Sequence, residues 1–291
     1  MVEDTKLEET ATTEVDAPAT QQTAPADESS AIRNDQAEGL RNLFGAKVPN
    51  MVCMACALDA DTAATMAIGT AHALRQQNQR VLLIDEIPLQ DRRNMTGLAY
   101  KVRYDIAQVM ENDIALEQAI QKVENNLWFA AGLRMARSYN SRKLRTPSLY
   151  DRILKSEFEF DLMLLATTDP IEGVLRSYAR DIRYLVVAAP DEASMIRALE
   201  FIRTLSVQSD GAKIPVLIVG GDTEEAGKEA FARIETASMN LLDQPLEFTG
   251  WIGAVTLPYA TKKTPEPAGL ILPATLYSKL AGTAMQLEKA P

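Results

Sequence analysis

Short, nearly continuous apolar runs recur along the chain at residues 48–55, 80–85, 127–131, 160–165, 184–189, 215–220 and 246–252. The segments between them carry apolar residues every three or four positions. Residues 62–77, 191–206 and 223–242 are long enough for full helices. The second presents Met195, Ala198, Leu199, Ile202 and Leu205 at helical spacing behind a capping Asp191, and the third Ala226, Ala230, Ile234, Ala237 and Leu241. The apolar runs read as strands buried on both faces and the periodic segments as amphipathic helices. Shorter helical signals fall at 106–110, 114–120 and 149–158, and a last helix at about 273–287. Strands alternating with helices predict an α/β fold: a doubly wound, mainly parallel sheet of about seven strands with helices on both faces.

The pattern changes at the start of the chain. Residues 1–30 are Thr, Ala, Glu, Gln and Pro with almost no large apolar side chains. Such a segment cannot bury enough surface to offset its ordering entropy, and a disordered acidic tail is expected. In residues 31–45, Asp35 with Glu38 three positions on makes a capping box, Gly45 a stop, and Ala37, Leu40, Leu43 and Phe44 one apolar face. A helix this short is marginal alone and needs a surface, its own domain's or a partner's. Residues 46–291 then form the α/β domain.

Composition narrows the function classes. The chain has 291 residues and a formal charge of −10. Residues 1–30 hold eight acids against Lys6, so the remainder is close to neutral and no nucleic-acid partner is expected. No apolar run approaches the roughly 18 residues of a membrane span, and no basic-then-apolar leader is visible. Two cysteines are too few for a disulfide framework, and a cytoplasmic location, or one peripheral to the inner membrane, is the expectation.

Candidate chemistry concentrates at the first strand–helix turn, Cys56-Ala57-Leu58-Asp59-Ala60-Asp61-Thr62. A turn that binds phosphate needs glycines and a lysine, and this one has neither. Asp61 stands where it could cap the following helix and occupy amides that would otherwise meet phosphate. Cys53 and Cys56 make a CxxC string, but three positions apart on a strand they face opposite ways and cannot pair. His72 is the single histidine, too few ligands for structural zinc. The basic run Arg134, Arg137, Arg142, Lys143, Arg145, Arg152 and Lys155 is by default a solvated face, with a partner or anionic-lipid surface as the sharper option. In the last helix Leu276, Leu280, Ala284 and Leu287 form a stripe with only Lys279 and Lys289 as cations. That suits a core-covering helix better than a membrane-binding one, so membrane association is expected to be weak or indirect.

Several strings resemble the MinD/ParA class of deviant P-loop ATPases, and within it the flagellar number regulators of the FlhG (FleN) type. They are Arg80-Val81-Leu82-Leu83-Ile84-Asp85, Tyr104 to Val109 with Leu116 to Ile120, Ala189 to Met195, Glu225 to Phe231, and Leu246 to Gly250. Asp35-Gln36-Ala37-Glu38-Gly39-Leu40-Arg41 is similar to the DQAxxLR motif of FlhG proteins, which stimulates the SRP-type GTPase FlhF. A Gln amide beside an Arg can orient an attacking water and neutralise developing phosphate charge. The plainer alternative is an ordinary capped helix packed on its own domain.

Placed on this resemblance, the family's two loop lysines fall at Leu58 and Ala63, its glycines at Asp59, Ala60 and Thr62, and its magnesium hydroxyl at Ala64. The acid closing the fourth strand falls at Ala166. Asp85 survives, and Glu86 beside it is not where the family keeps a second acid. The resemblance therefore implies a degenerate nucleotide site (Leu58, Asp59, Asp61, Ala63, Ala64, Asp85, Ala166), no catalytic residue and no ATP or magnesium cofactor. It implies partner contacts through Asp35, Gln36, Ala37, Leu40 and Arg41, with an FlhF-type GTPase or flagellar basal-body components as partners. The alternatives are an ATPase that binds nucleotide unconventionally, and a pseudo-ATPase scaffold of another envelope machine such as polysaccharide or pilus export.

Overall fold

The computed structural model describes residues 49–92, 102–142, 147–209, 211–253 and 270–281. The segments 1–30 and 31–45, and with them Asp35 to Arg41, lie outside the described residues.

Eight strands form one sheet: β1 (Asn50–Cys56), β2 (Val81–Asp85), β3 (Gln121–Glu124), β4 (Leu127–Ala131), β5 (Leu162–Thr167), β6 (Arg183–Ala188), β7 (Ile214–Val219) and β8 (Leu246–Ile252). Their order is β3-β4-β2-β5-β1-β6-β7-β8. Every pairing is parallel except β3 with β4. The helices are α1 (Ala60–Gln76), α2 (Ile106–Met110), α3 (Leu116–Ala119), α4 (Met135–Arg142), α5 (Leu149–Leu154), α6 (Glu172–Tyr178), α7 (Glu192–Ser209), α8 (Glu224–Leu242) and α9 (Ala274–Ala281).

Strand alternation divides the core into two layers. Met51, Cys53 and Ala55 of β1 point into a cluster with α2 to α8, while Val52, Met54 and Cys56 point into one with α1 and α9. The two cysteines are free, buried and on opposite faces, as their spacing predicts. Leu276 and Leu280 are 0% and 1% exposed against the α1 layer, so α9 covers core; Ala284 and Leu287 lie outside the described residues.

The doubly wound expectation holds, with three corrections. The sheet has an eighth strand, β3, in a hairpin turning at Asn125-Asn126, where Asn126 takes φ +60°. It escaped the pattern because Gln121–Glu124 is short, polar and mostly solvent-facing. Helices α4 and α6 were not foreseen, and α5 ends at Leu154 rather than 158. Of the basic run, Arg137 and Arg142 lie on α4 and Arg152 on α5, and Lys143 and Arg145 lie outside the described residues. Arg134 and Arg137 are exposed, and Arg152 donates to Asn112 Oδ1 at 3.0 Å.

Candidate functional site

Ligands of open α/β sheets sit beyond the carboxyl ends of the strands. At that edge β1, β2, β4, β5 and β6 end side by side, and all seven vestigial positions fall on or beside it.

The turn after β1 is short. Three residues, Ala57, Leu58 and Asp59, separate the end of β1 from the start of α1, and the last positions of an eight-residue phosphate motif, Ala63 and Ala64, fall in the first turns of α1. Its first residue bonds within the chain. The Ala57 N–H donates to Val187 O at 2.8 Å, and the Ala57 carbonyl accepts from Ser194 Oγ at 2.7 Å. The same Ser194 Oγ accepts from the Ala189 N–H at 2.7 Å, which ties the turn after β1 to the turn after β6.

Asp59, not Asp61, caps α1. Its Oδ1 accepts from the Thr62 N–H at 3.1 Å and its Oδ2 from the Thr62 hydroxyl at 2.6 Å. The helix begins two residues earlier than expected, which moves the cap to Asp59 and leaves Asp61 buried in the first turn. Partial burial pushes the Asp59 carboxyl up, but the Thr62 hydroxyl and the local amides outweigh it and leave it below the usual range. Leu58, Ala63, Ala64 and Ala166 are all buried apolar residues of the α1 layer. The residues present do not supply the side chains that a P-loop directs at a triphosphate: no lysine lies between 48 and 79, and the position of the magnesium-binding hydroxyl, Ala64, is a methyl in the core.

Asp85 is buried, and sequence reasoning missed its partner. Arg92 Nη2 lies 2.7 Å from both Asp85 Oδ1 and Oδ2 and 2.6 Å from the Ile87 carbonyl oxygen. The Ile87 N–H also donates to Asp85 Oδ1, at 3.0 Å. Burial pushes the Asp85 carboxyl up, and the Arg92 guanidinium and Ile87 amide pull against it. The signal was an arginine seven positions after Asp85, but its spacing alone named no partner.

Glu86 turns to the opposite layer. Its Oε1 accepts from the Tyr178 hydroxyl at 2.7 Å. Enclosure raises its carboxyl to about 8; Tyr178 and Thr167 pull it down, and Asp105 and Asp169 push it up. The fully buried Tyr178 hydroxyl is itself raised well above its ordinary value, by burial first and by Glu86 second. Gly132, at the end of β4, makes room: a Cβ there would stand 2.5 Å from the Tyr178 hydroxyl oxygen and 3.0 Å from Glu86 Cγ. Asp105 caps α2 and accepts from the Arg134 N–H at 3.2 Å. Among the described residues no group of three or more His, Cys, Asp or Glu is arranged to hold a metal ion.

No protein-family model and no curated protein sequence matches the chain. Solved structures do. The MinD cell division protein of Aquifex aeolicus is 18% identical at a TM-score of 0.53, over 82% of this chain and 100% of that one. A plasmid partition protein of Borrelia burgdorferi is 15% identical at 0.52, over 81% and 97%. The cobyrinic acid a,c-diamide synthase of Mycobacterium smegmatis is 16% identical at 0.52, over 80% and 92%. Among the described residues no helix is long and apolar enough to cross a membrane. The architecture is the doubly wound fold of the MinD/ParA-type P-loop ATPases.

Proposed function

We propose that the protein uses a MinD-type frame as a scaffold, without binding or hydrolysing ATP, and acts through contacts with other proteins. The observation that carries this reading is the β1–α1 turn, which brings no lysine, has a buried methyl at Ala64 where the magnesium-binding hydroxyl would stand, and bonds its leading amide and carbonyl within the chain. A phosphate-binding loop needs open backbone N–H groups, a lysine and a magnesium-binding hydroxyl. The partner side of the reading rests on the sequence 35–41. If that string works as its FlhG-type counterpart does, the protein is a regulator of flagellar number or placement that stimulates an FlhF-type GTPase. The test is the GTPase rate of such a partner with the full chain. Stimulation that Gln36→Ala abolishes supports the role; no stimulation, or stimulation indifferent to Gln36, removes it and leaves a scaffold of another envelope machine.

A second reading is an ATPase that binds nucleotide unconventionally. The fold favours it, since a septum site-determining MinD protein of this architecture, from Pyrococcus horikoshii, was solved in complex with Mg-ADP. Calorimetry with ATP and magnesium separates the two.

A further inference from the structure

The amino edge of the sheet lies at the far end of the parallel strands from the turn after β1. A groove of about 570 Å³ opens there, between the first residues of β6 and β7 and the end of α9. That is a size common for small-molecule sites. The opening follows from Pro215. The Ile214 N–H donates to the Pro245 carbonyl, on the β8 side, at 3.1 Å. Alternation along the strand aims the next backbone nitrogen at β6, and that nitrogen belongs to proline and has no hydrogen to give. The β6–β7 ladder accordingly starts only at Val186 and Val216. Below that point the groove has an apolar floor of Val52, Leu185, Ile214, Leu276 and Leu280, each 2% exposed or less.

The charge of the groove is one-sided. Arg183, Lys213 and Lys279 line it, and among the described residues no Asp or Glu does. Lys279 is held outward by Glu247 Oε2 at 2.6 Å. Neither Arg183 nor Lys213 forms an ion pair with a described residue. Arg183 Nη2 donates to the Leu280 carbonyl at 3.2 Å, which anchors the guanidinium against the end of α9 and uses one of its five N–H donors. Burial holds that guanidinium below its usual value, with no acid to offset it. Carried back three positions, the register of Val186 with Val216 sets Lys213 opposite Arg183. Like charges facing across strand ends repel unless an anion lies between them.

We infer that this groove binds a small amphiphilic carboxylate, its acyl chain on the apolar floor and its head group between Arg183 and Lys213. The fork of an arginine suits the two oxygens of a carboxylate, and a purely polar anion would leave the floor uncovered. The site stands at the opposite edge from Asp59 and Asp85, so it does not depend on whether the protein takes nucleotide.

The test is isothermal titration of the full chain with decanoate at neutral pH and low salt. Wild type is expected to bind one equivalent with a Kd below about 1 mM. Arg183→Gln is expected to weaken binding by about tenfold or more, through the lost charged hydrogen bonds. Lys213→Gln, at an exposed position, is expected to weaken it by about two- to fivefold. Ala212 is exposed at the mouth of the groove, so Ala212→Trp fills the space and is expected to abolish binding. All three variants are expected to melt with wild type, which separates a lost site from a lost fold. Decanol, with the chain but not the charge, is expected to bind at least about tenfold more weakly than decanoate. The inference is overturned if decanoate shows no saturable binding below about 1 mM, if folded Arg183→Gln or folded Ala212→Trp binds it as wild type does, or if decanol matches decanoate. Retention by phosphatidylglycerol vesicles without binding of free decanoate would also overturn it, in favour of a membrane surface.

Discussion

At the scale of single residues, the carboxyl edge of the sheet is governed by two neighbouring acids that face opposite layers. Asp85 is buried with Arg92, and breaking such a pair from one side costs about 3–5 kcal/mol because the other charge stays behind. Arg92→Ala is therefore expected to lose about that much stability by denaturant titration, while Asp85→Asn/Arg92→Met stays within about 1.5 kcal/mol of wild type. Glu86 behaves differently, because its folded carboxyl, at about 8, lies above the unfolded value of about 4.3. Its contribution is fully present below that unfolded value and is lost as pH rises through about 8. Wild type should thus lose melting temperature between pH 5 and 9 relative to Glu86→Gln, by roughly 5 °C or more. Parallel profiles for the two proteins would contradict the assignment. Gly132→Ala belongs to the same cluster. Its methyl would stand 2.5 Å from the Tyr178 hydroxyl oxygen, so it is expected to destabilise by about 1–3 kcal/mol and to lower the apparent Glu86 transition's sharpness in the same titration.

At the scale of elements, the first crossover shows how a short turn decides what an edge can do. Asp59 caps α1 through Thr62, and its removal as Asp59→Ala is expected to cost about 1 kcal/mol, measurable by chemical denaturation. Helix α8 lies against β8 so closely that a Cβ at Gly227 would reach within 2.3 Å of the Trp251 ring. The Trp251 indole in turn donates to the Gly220 carbonyl at 2.7 Å. The elements that sequence made plain are those with long apolar runs or repeated apolar spacing: α1, α7, α8 and the seven strands that pair in parallel. Those it missed have no such repeat. Strand β3 is a polar edge held by one hairpin, α4 sits inside a run of arginines, and α6 shows its apolar side only as Val174, Leu175 and Tyr178. The cap was misplaced for the same reason. Asp59 and Asp61 both suit a cap, and only the true length of the turn chooses between them. Arg92 and Tyr178 were illegible because their partners, seven and 92 residues away in sequence, are set by the sheet and not by local pattern.

At the scale of the molecule, one eight-stranded sheet with a helical layer on each face accounts for the apolar alternation of the whole domain. The fold was readable from sequence because a parallel sheet buried on both faces leaves continuous apolar runs. Function was less readable. The same architecture serves a cell division protein, a plasmid partition protein and a diamide synthase, so chemistry has to be argued from the site. At that site the first turn carries no lysine and Arg92 covers Asp85, and the account turns on whether such an edge takes nucleotide. The most direct measurement is isothermal titration of the full chain with ATP in the presence of magnesium. The account predicts no saturable heat up to millimolar nucleotide. Saturable binding that Asp85→Asn or a substitution in Ala57 to Asp59 weakens would contradict it.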